Sequence, residues 1–206
     1  MLIMCRLFND TGKSYSFDHR GKSGFGRGEG AGCVFLKPLD QAIRDNDNIR
    51  AVIMATGCNQ DGRTKGITVP NGDSQVALMK SVYQSAGLDT AETGFVEAHG
   101  TGTKVGDPIE ARALHEVFGK YRTSRTPLLI GSVKSNVGHL EGTSGIVSVI
   151  KAALMLEKGM ILPNANFEKG NENIPFSEWN LKIPVTARPW PKNKKYISIS
   201  KYLQIA

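Results

Sequence analysis

The chain has 206 residues, 40% of them hydrophobic, enough for one sizeable domain or a large piece of a bigger one. No apolar run reaches the ~18 residues a membrane span needs, and the opening MLIMCRLFND lacks the architecture of a signal peptide. The net charge of +7 is spread along the sequence, with one cluster, WPKNKK plus Lys201, that resembles a solvated tail, so neither nucleic acid nor membrane is the expected partner and an acidic protein or phosphate-bearing carrier fits better.

In chain order, GFGRGEGAG (residues 24–32) comes first. Gly24 and Gly26 fit a dinucleotide fingerprint, but its sixth place is Glu29 and the segment precedes a strand, so that reading fails. It reads instead as a tight turn of close backbone approach, with Arg27 and Glu29 as a buried pair. AGCVFLKP (31–38) then predicts a buried strand, Pro38 opens a short helix through Arg44, and IRAVIMATGC (49–58) predicts a longer buried strand. Cys33 and Cys58 fall on these strands. With Cys5 they make an odd number without metal spacing, which points to a reducing, cytoplasmic setting with no disulfide framework and no metal site.

Residues 59–73, NQDGRTKGITVPNGD, form a long aperiodic loop. A helix follows from Asp73 to about Ala86, with Val76, Met79, Val82, Tyr83 and Ala86 on one face and Gly87 at its end. TGFVEA (93–98) is a short buried strand. The next helix is expected to start with Asp107 as N-cap, Pro108 first and Glu110 third, a capping-box variant. Ala113, Leu114, Val117 and Phe118 form its stripe, and Gly119 ends it in the left-handed conformation. PLLIGSV (127–133) is another buried strand. GIVSVIKAALMLEKG (145–159) is a helix apolar nearly all round and so deeply buried, capped by Thr143 or Ser144 and stopped by Gly159. Extended segments ILPNANF and LKIPVTARPWP close the chain. Alternating strands and helices give an α/β layered fold.

Two loops carry the chemistry. In VEAHGTGTKVGDPIEA, His99 lies where a strand ends and turns toward a helix; in GSVKSNVGHLEGTSG, Lys134 and His139 hold the equivalent place after another strand. Ligands of α/β sheets bind at the carboxyl ends of strands. Neighbouring strands would bring both rings to one crevice. There a pair of imidazoles can hold a carbonyl oxygen as charge develops on it, with the lysine biasing their charge state. The plainer alternative is that Lys134 and His139 satisfy backbone carbonyls in a tight turn.

These two loops, with YSFDHRGKSGFGRGEGAG and NQDGRTKGITVPNG in the same order, resemble the β-ketoacyl synthases. The wording is nearest to ketosynthase domains of the large iterative polyketide synthases of fungi, over residues 13–191. The resemblance implies a thiolase-like fold. It also implies an acyltransferase of fatty-acid and polyketide assembly, in which a cysteine holds the acyl chain while a malonyl thioester loses carbon dioxide and attacks it. It makes His99, His139 and Lys134 the catalytic set, and Thr101, Thr103 and Asn136 substrate-binding. No cofactor is bound; the phosphopantetheine of acyl carrier protein delivers the substrate.

The family nucleophile lies in a motif that none of the three cysteines matches, so the chain by itself is expected to be inactive. Residues 1–48 then correspond to the last part of the N-terminal ketosynthase half and 49–206 to the C-terminal half, truncated in KKYISISKYLQIA before the family's Phe/Gly-rich loop. On this reading residues 145–157 lose much of their cover, and the expected partners are acyl carrier protein and either a second copy or the N-terminal half. The alternative function is a non-catalytic binding or pairing module derived from a ketosynthase.

Overall fold

The computed structural model describes residues 7–64, 66 and 69–201. Cys5 lies outside them. Their centre is an all-parallel sheet of four strands in the order β4-β2-β1-β6, with β1 Thr93–Glu97, β2 Leu128–Gly131, β4 Leu181–Lys182 and β6 Tyr196–Ile199. A small antiparallel pair joins β3 (Met160–Ile161) to β5 (Arg188–Pro189). Every residue of β1 and β2 is buried, as befits parallel strands covered on both faces. Register sets Phe95 opposite Leu129 and Val96 opposite Ile130, so successive side chains serve opposite layers.

One layer joins Val96 and Ile130 to Val76, Met79 and Tyr83 of α2 (Gly72–Ser85) and Leu114, Val117 and Phe118 of α3 (Gly106–Phe118). The other joins Phe95 and Leu129 to Met155 of α5 (Ser144–Lys158) and to Ile161. Both helix faces follow the apolar spacing read in the sequence. α1 (Leu39–Arg44) follows Pro38 as its proline predicts, and Gly159 closes α5 at φ 61°, the left-handed cap its sequence announces. Among the described residues no helix is long and apolar enough to cross a membrane.

Several expectations fail, each for a physical reason. Residues 31–38 and 49–58 form no strand among the described residues, because neither joins a hydrogen-bonded ladder. Their apolar side chains are open: Phe35 is 103% exposed, Leu36 73%, Ile53 53% and Met54 56%. Cys33 and Cys58 are likewise exposed. The stretch from Ala51 to Gly57 stands off α2, α5 and β6 across a cleft of about 630 Å³. α5 is therefore buried on one stripe only (Ser144, Ser148, Ala152, Met155), and Leu154 is exposed. Neither Thr143 nor Ser144 caps it: Thr143 is the N-cap residue but has no capping bond, and its hydroxyl donates to Gly30 O. α3 begins at Gly106 without a side-chain cap, since Asp107 and Glu110 turn inward to the preceding loop. Gly119 has φ −70°, and the helix tightens into a 3₁₀ turn through Tyr121 instead of stopping.

Candidate active site

β1 and β2 are hydrogen-bonded neighbours, so the loops leaving their carboxyl ends rise side by side. Pairing continues one residue past β1, where Ala98 N–H donates to Gly131 O (2.8 Å), and His99 follows at once. The His99 and His139 rings meet edge to face with centroids 5.4 Å apart. Lys134 is fully buried; its Nζ donates to His99 O (2.9 Å) and lies 3.4 Å from His99 Nδ1. The three side chains thus share one crevice at the strand ends.

The backbone that presents His99 is held by two carboxylates. Glu110 accepts from His99 N (2.7 Å) with one oxygen and from Gly100 N (2.8 Å) with the other. Asp107 accepts from Phe17 N (2.6 Å), Gly102 N (3.1 Å) and Thr103 N (3.3 Å). The acidic pair that reads as a helix cap instead clamps the loop, and three of the five bonds come from backbone N–H groups of GTGT: Gly100, Gly102 and Thr103. Burial pushes Asp107 up to about 7, and burial likewise raises Glu110.

His139 is placed by the glycine-rich segment. Its N–H donates to Gly26 O (2.7 Å), its carbonyl accepts from Gly28 N (3.0 Å), and its ring packs on Phe25 at 5.1 Å. A Cβ on Gly28 would lie 2.1 Å from Val137 O, which is why this approach needs glycine. Arg27 pairs with Glu141 at 3.1 Å in an exposed bridge, not with Glu29. The segment pairs through bridges at Phe25 and Arg27 instead of forming a tight turn, but the close backbone approach read from its glycines is real, and its product is the position of a histidine.

A third carboxylate, Glu97, was not singled out in the sequence. Buried at the end of β1, it accepts from Val133 N (2.7 Å), starting the single turn Lys134–Val137, and pairs with Lys151 (2.7 Å) and Lys201 (3.6 Å). The available signal was a lone acid in an otherwise apolar buried strand. Lys201 also departs from the solvated tail: its Nζ donates to Ala98 O (2.7 Å) and its side chain is only 18% exposed. Asn164 supports the second loop, its Oδ1 accepting from Ser132 N (2.9 Å).

The remaining named residues separate. Thr101 is buried with its hydroxyl 3.2 Å from that of Thr103, which accepts from Gly106 N. Asn136 is exposed on the turn after β2, its Oδ1 accepting from Ser135 Oγ (3.3 Å). Burial first, then Lys134 and Lys201, drive His99 well below the ordinary imidazole range and His139 to about 4. Burial first, then Lys201, lowers Lys134 to about 6. Both imidazoles are therefore neutral at pH 7. Glu141 N–H donates to His139 Nδ1 (2.9 Å), so the proton of that ring sits on Nε2. A neutral ring with an Nε2–H donor can stabilise developing negative charge on oxygen.

Comparison with known proteins agrees with this architecture. The family described as Beta-ketoacyl synthase, C-terminal domain matches residues 50–168, and Beta-ketoacyl synthase, N-terminal domain matches residues 1–42. A highly-reducing polyketide synthase of Aureobasidium melanogenum is 67% identical over 96% of this chain and 9% of its own length. A reducing polyketide synthase of Cochliobolus heterostrophus is 53% identical over 98% of this chain and 8% of its own. The ketosynthase from module 6 of the bacillaene synthase of Bacillus subtilis 168 superposes with a TM-score of 0.88 at 38% identity, covering 93% of this chain and 34% of that one. The chain thus spans under a tenth of these curated relatives and about a third of that solved ketosynthase. The parallel sheet, the paired strand-end loops and these matches converge: the chain belongs to the β-ketoacyl synthase family and is part of a polyketide synthase ketosynthase domain, with a thiolase-like fold.

Proposed function

We propose that this chain supplies the enolate-stabilising part of a decarboxylative condensation site. The observation that carries the proposal is the meeting of His99 and His139, 5.4 Å apart, at the ends of adjacent strands with Lys134 beneath. Loss of carbon dioxide from a malonyl thioester leaves its electron pair on the α-carbon, delocalised onto the thioester oxygen. Two neutral imidazoles whose N–H groups reach that oxygen stabilise it without themselves being deprotonated. Asp107 and Glu110 keep the loop fixed, so little reorganisation accompanies the charge.

The substrate in this proposal is malonyl or acyl thioester on the phosphopantetheine arm of acyl carrier protein. Thr101 and Thr103 lie on the His99 loop and are the side chains assigned to that arm; Asn136 lies on the Lys134 turn and is assigned a lesser contact. In this proposal the acyl-accepting cysteine is supplied from outside this chain; Cys33 and Cys58 are exposed on residues 31–58. The chain alone therefore condenses nothing, and the covering partner is the N-terminal ketosynthase half or a second copy.

The test is malonyl-thioester decarboxylation by the chain co-expressed with a ketosynthase N-terminal half whose cysteine is replaced by glutamine. Decarboxylation should appear, and His99→Ala or His139→Ala should each lower it by about 10²–10³-fold, the usual cost of one oxyanion donor. Full rate in both variants would leave the non-catalytic pairing module as the better reading. The exposed apolar face of residues 31–58 is the observation that favours that second reading.

A further inference from the structure

The chain between β3 and β4 carries Asn164, which is 5% exposed and whose amide joins two segments distant in the sequence. Its Oδ1 accepts from Ser132 N (2.9 Å), and its Nδ2 donates to Ser16 O (3.3 Å). A backbone N–H can only donate and a carbonyl can only accept, so the amide has this orientation and not its flip. Both segments continue to the His99 loop. Ser132 Oγ donates to His99 O (3.1 Å) and accepts from Lys134 N (3.3 Å), while Ser16 Oγ donates to Gly100 O. The path Gly100–Ser16–Asn164–Ser132–His99 therefore leaves the first loop at one residue and returns to it at the neighbouring one. Ser16 and Ser132 have no exposed surface. Removing one member of such a buried circuit leaves its partner unpaired away from water.

We infer that Asn164 is a positioning residue for the imidazole pair: it fixes Ser132, and through Ser132 the spacing between the His99 loop and the turn that leads from Lys134 to His139. Ser132 is the hinge of the argument because its one hydroxyl touches both loops, His99 O on one side and Lys134 N on the other. The loops are also in close contact there. A Cβ on Gly100 would lie 2.7 Å from Ser132 Cβ, so a shift of Ser132 passes directly to the residue after His99. An anchor for its own segment needs only the backbone bond from Asn164 N to Pro184 O (2.8 Å); the side chain serves the loops instead. The inference rests on the proposed joint action of His99 and His139, but the spacing of the two rings is a property of the free chain and needs no substrate.

The test is NMR of the full chain, reading the nuclear Overhauser cross-peak between ring protons of His99 and His139, which an edge-to-face pair with centroids 5.4 Å apart should give. Asn164→Leu, of similar volume but without the amide, should lose that cross-peak. Arg122→Met is the control. It removes buried bonds to Thr90 O (3.1 Å) and Thr93 O (2.8 Å) at the opposite end of β1, so it should lower stability and leave the cross-peak intact. In the chain paired with a ketosynthase N-terminal half, Asn164→Leu should lower kcat for decarboxylation by about 10²-fold, the cost of a misplacement of about 1 Å, with KM little changed. If Asn164→Leu does not fold, Asn164→Asp keeps the acceptor for Ser132 N and loses the donor to Ser16 O; its His99 ring signals should shift while those of His139 hold. A wild-type cross-peak in folded Asn164→Leu, an equal loss in Arg122→Met, an unchanged kcat, or unmoved His99 signals in Asn164→Asp overturns the inference. No decarboxylation by the unsubstituted pair, with the cross-peak still lost in Asn164→Leu, would sink the proposed function and leave the positioning standing.

Discussion

Residues 93–133 and residues 31–58 are both rich in apolar runs, yet they meet opposite fates. Phe95, Leu114 and Ile130 have no exposed surface, whereas Phe35, Ile53 and Met54 are more than half exposed. The first region brings two strands that pair with each other and a helix, α3, that crosses between them, so its apolar faces are mutually covered. The second brings two apolar runs that pair with no strand among the described residues. It is tied to α5 by a polar contact, Arg50 to Glu157 (2.9 Å). An apolar run records that a segment is to be covered, and says nothing of which chain covers it.

The strongest way to break this contrast is to empty the covered core. Phe118 is fully buried in the layer with Tyr83 and Leu114, its ring 5.4 Å from that of Tyr83. Phe118→Ala should cost about 3–5 kcal/mol, read as a lower urea midpoint with an unchanged slope. A loss under 1 kcal/mol would mean this layer is as loosely held as residues 31–58.

A smaller effect comes from the loop clamp. Asp107→Asn keeps the volume but sets an amide N–H₂ against a backbone N–H that the carboxylate now accepts. One of the donors from Phe17, Gly102 or Thr103 loses its partner, at about 1–3 kcal/mol. Faster amide exchange should be confined to residues 17 and 100–103; exchange rising evenly across the chain would show that Asp107 is an ordinary core residue instead.

The clamp also marks what the sequence made legible. The strand-end placement of His99, His139 and Lys134 follows from apolar runs broken by Gly-rich loops, and those signals are local. The α2 and α3 faces and the Gly159 stop are of the same kind, whereas the sheet order came only from the structure. What escaped depends on contacts far apart in the chain. Asp107 and Glu110 have the spacing of a cap, and only Phe17, 90 residues away, shows that the carboxylate faces the other way. Lys201 sits beside a basic tail, and its burial follows from the pairing of β6 with β1. The strand readings of 31–38 and 49–58 erred because periodicity reports a demand for burial and not its supply.

Acid and base change stability through the same buried groups, and their signs differ. His139, lowered to about 4 from 6.5, adds stability as pH rises across that span, because the unfolded chain binds the extra proton. Asp107, raised from 3.8 to about 7, takes stability away across nearly the same span, since here the folded chain holds the proton. The two oppose, with His99 and Glu110 shifted in the corresponding directions, so the profile between pH 4 and 7 should be shallow. Above pH 7 the lysines dominate. Lys134, lowered from 10.5 to about 6, contributes stability that grows as the unfolded chain sheds its proton toward pH 10.5. Tm should rise by roughly a few degrees from pH 7 to 9.5, and Lys134→Met should remove much of that rise. A Tm that falls over this range would place a charged lysine, not a neutral one, beneath His99.

The smallest effect belongs to the uncovered region and sharpens the contrast most. Ile53 is 53% exposed at the edge of the cleft between Ala51–Gly57 and α5. Truncating a side chain that water already reaches removes little transfer energy and leaves no cavity, so Ile53→Ala in the isolated chain should change stability by under about 0.5 kcal/mol. Covering the face by a ketosynthase N-terminal half reverses the logic. The same side chain then leaves water, and its truncation should cost about 2–5 kcal/mol in the complex, as for a buried isoleucine. Urea unfolding of the chain alone and of the co-expressed pair, with and without the substitution, gives the two numbers directly. Equal small values in both would show that residues 49–58 stay open after pairing; a large value in the isolated chain would show that its own residues already bury them.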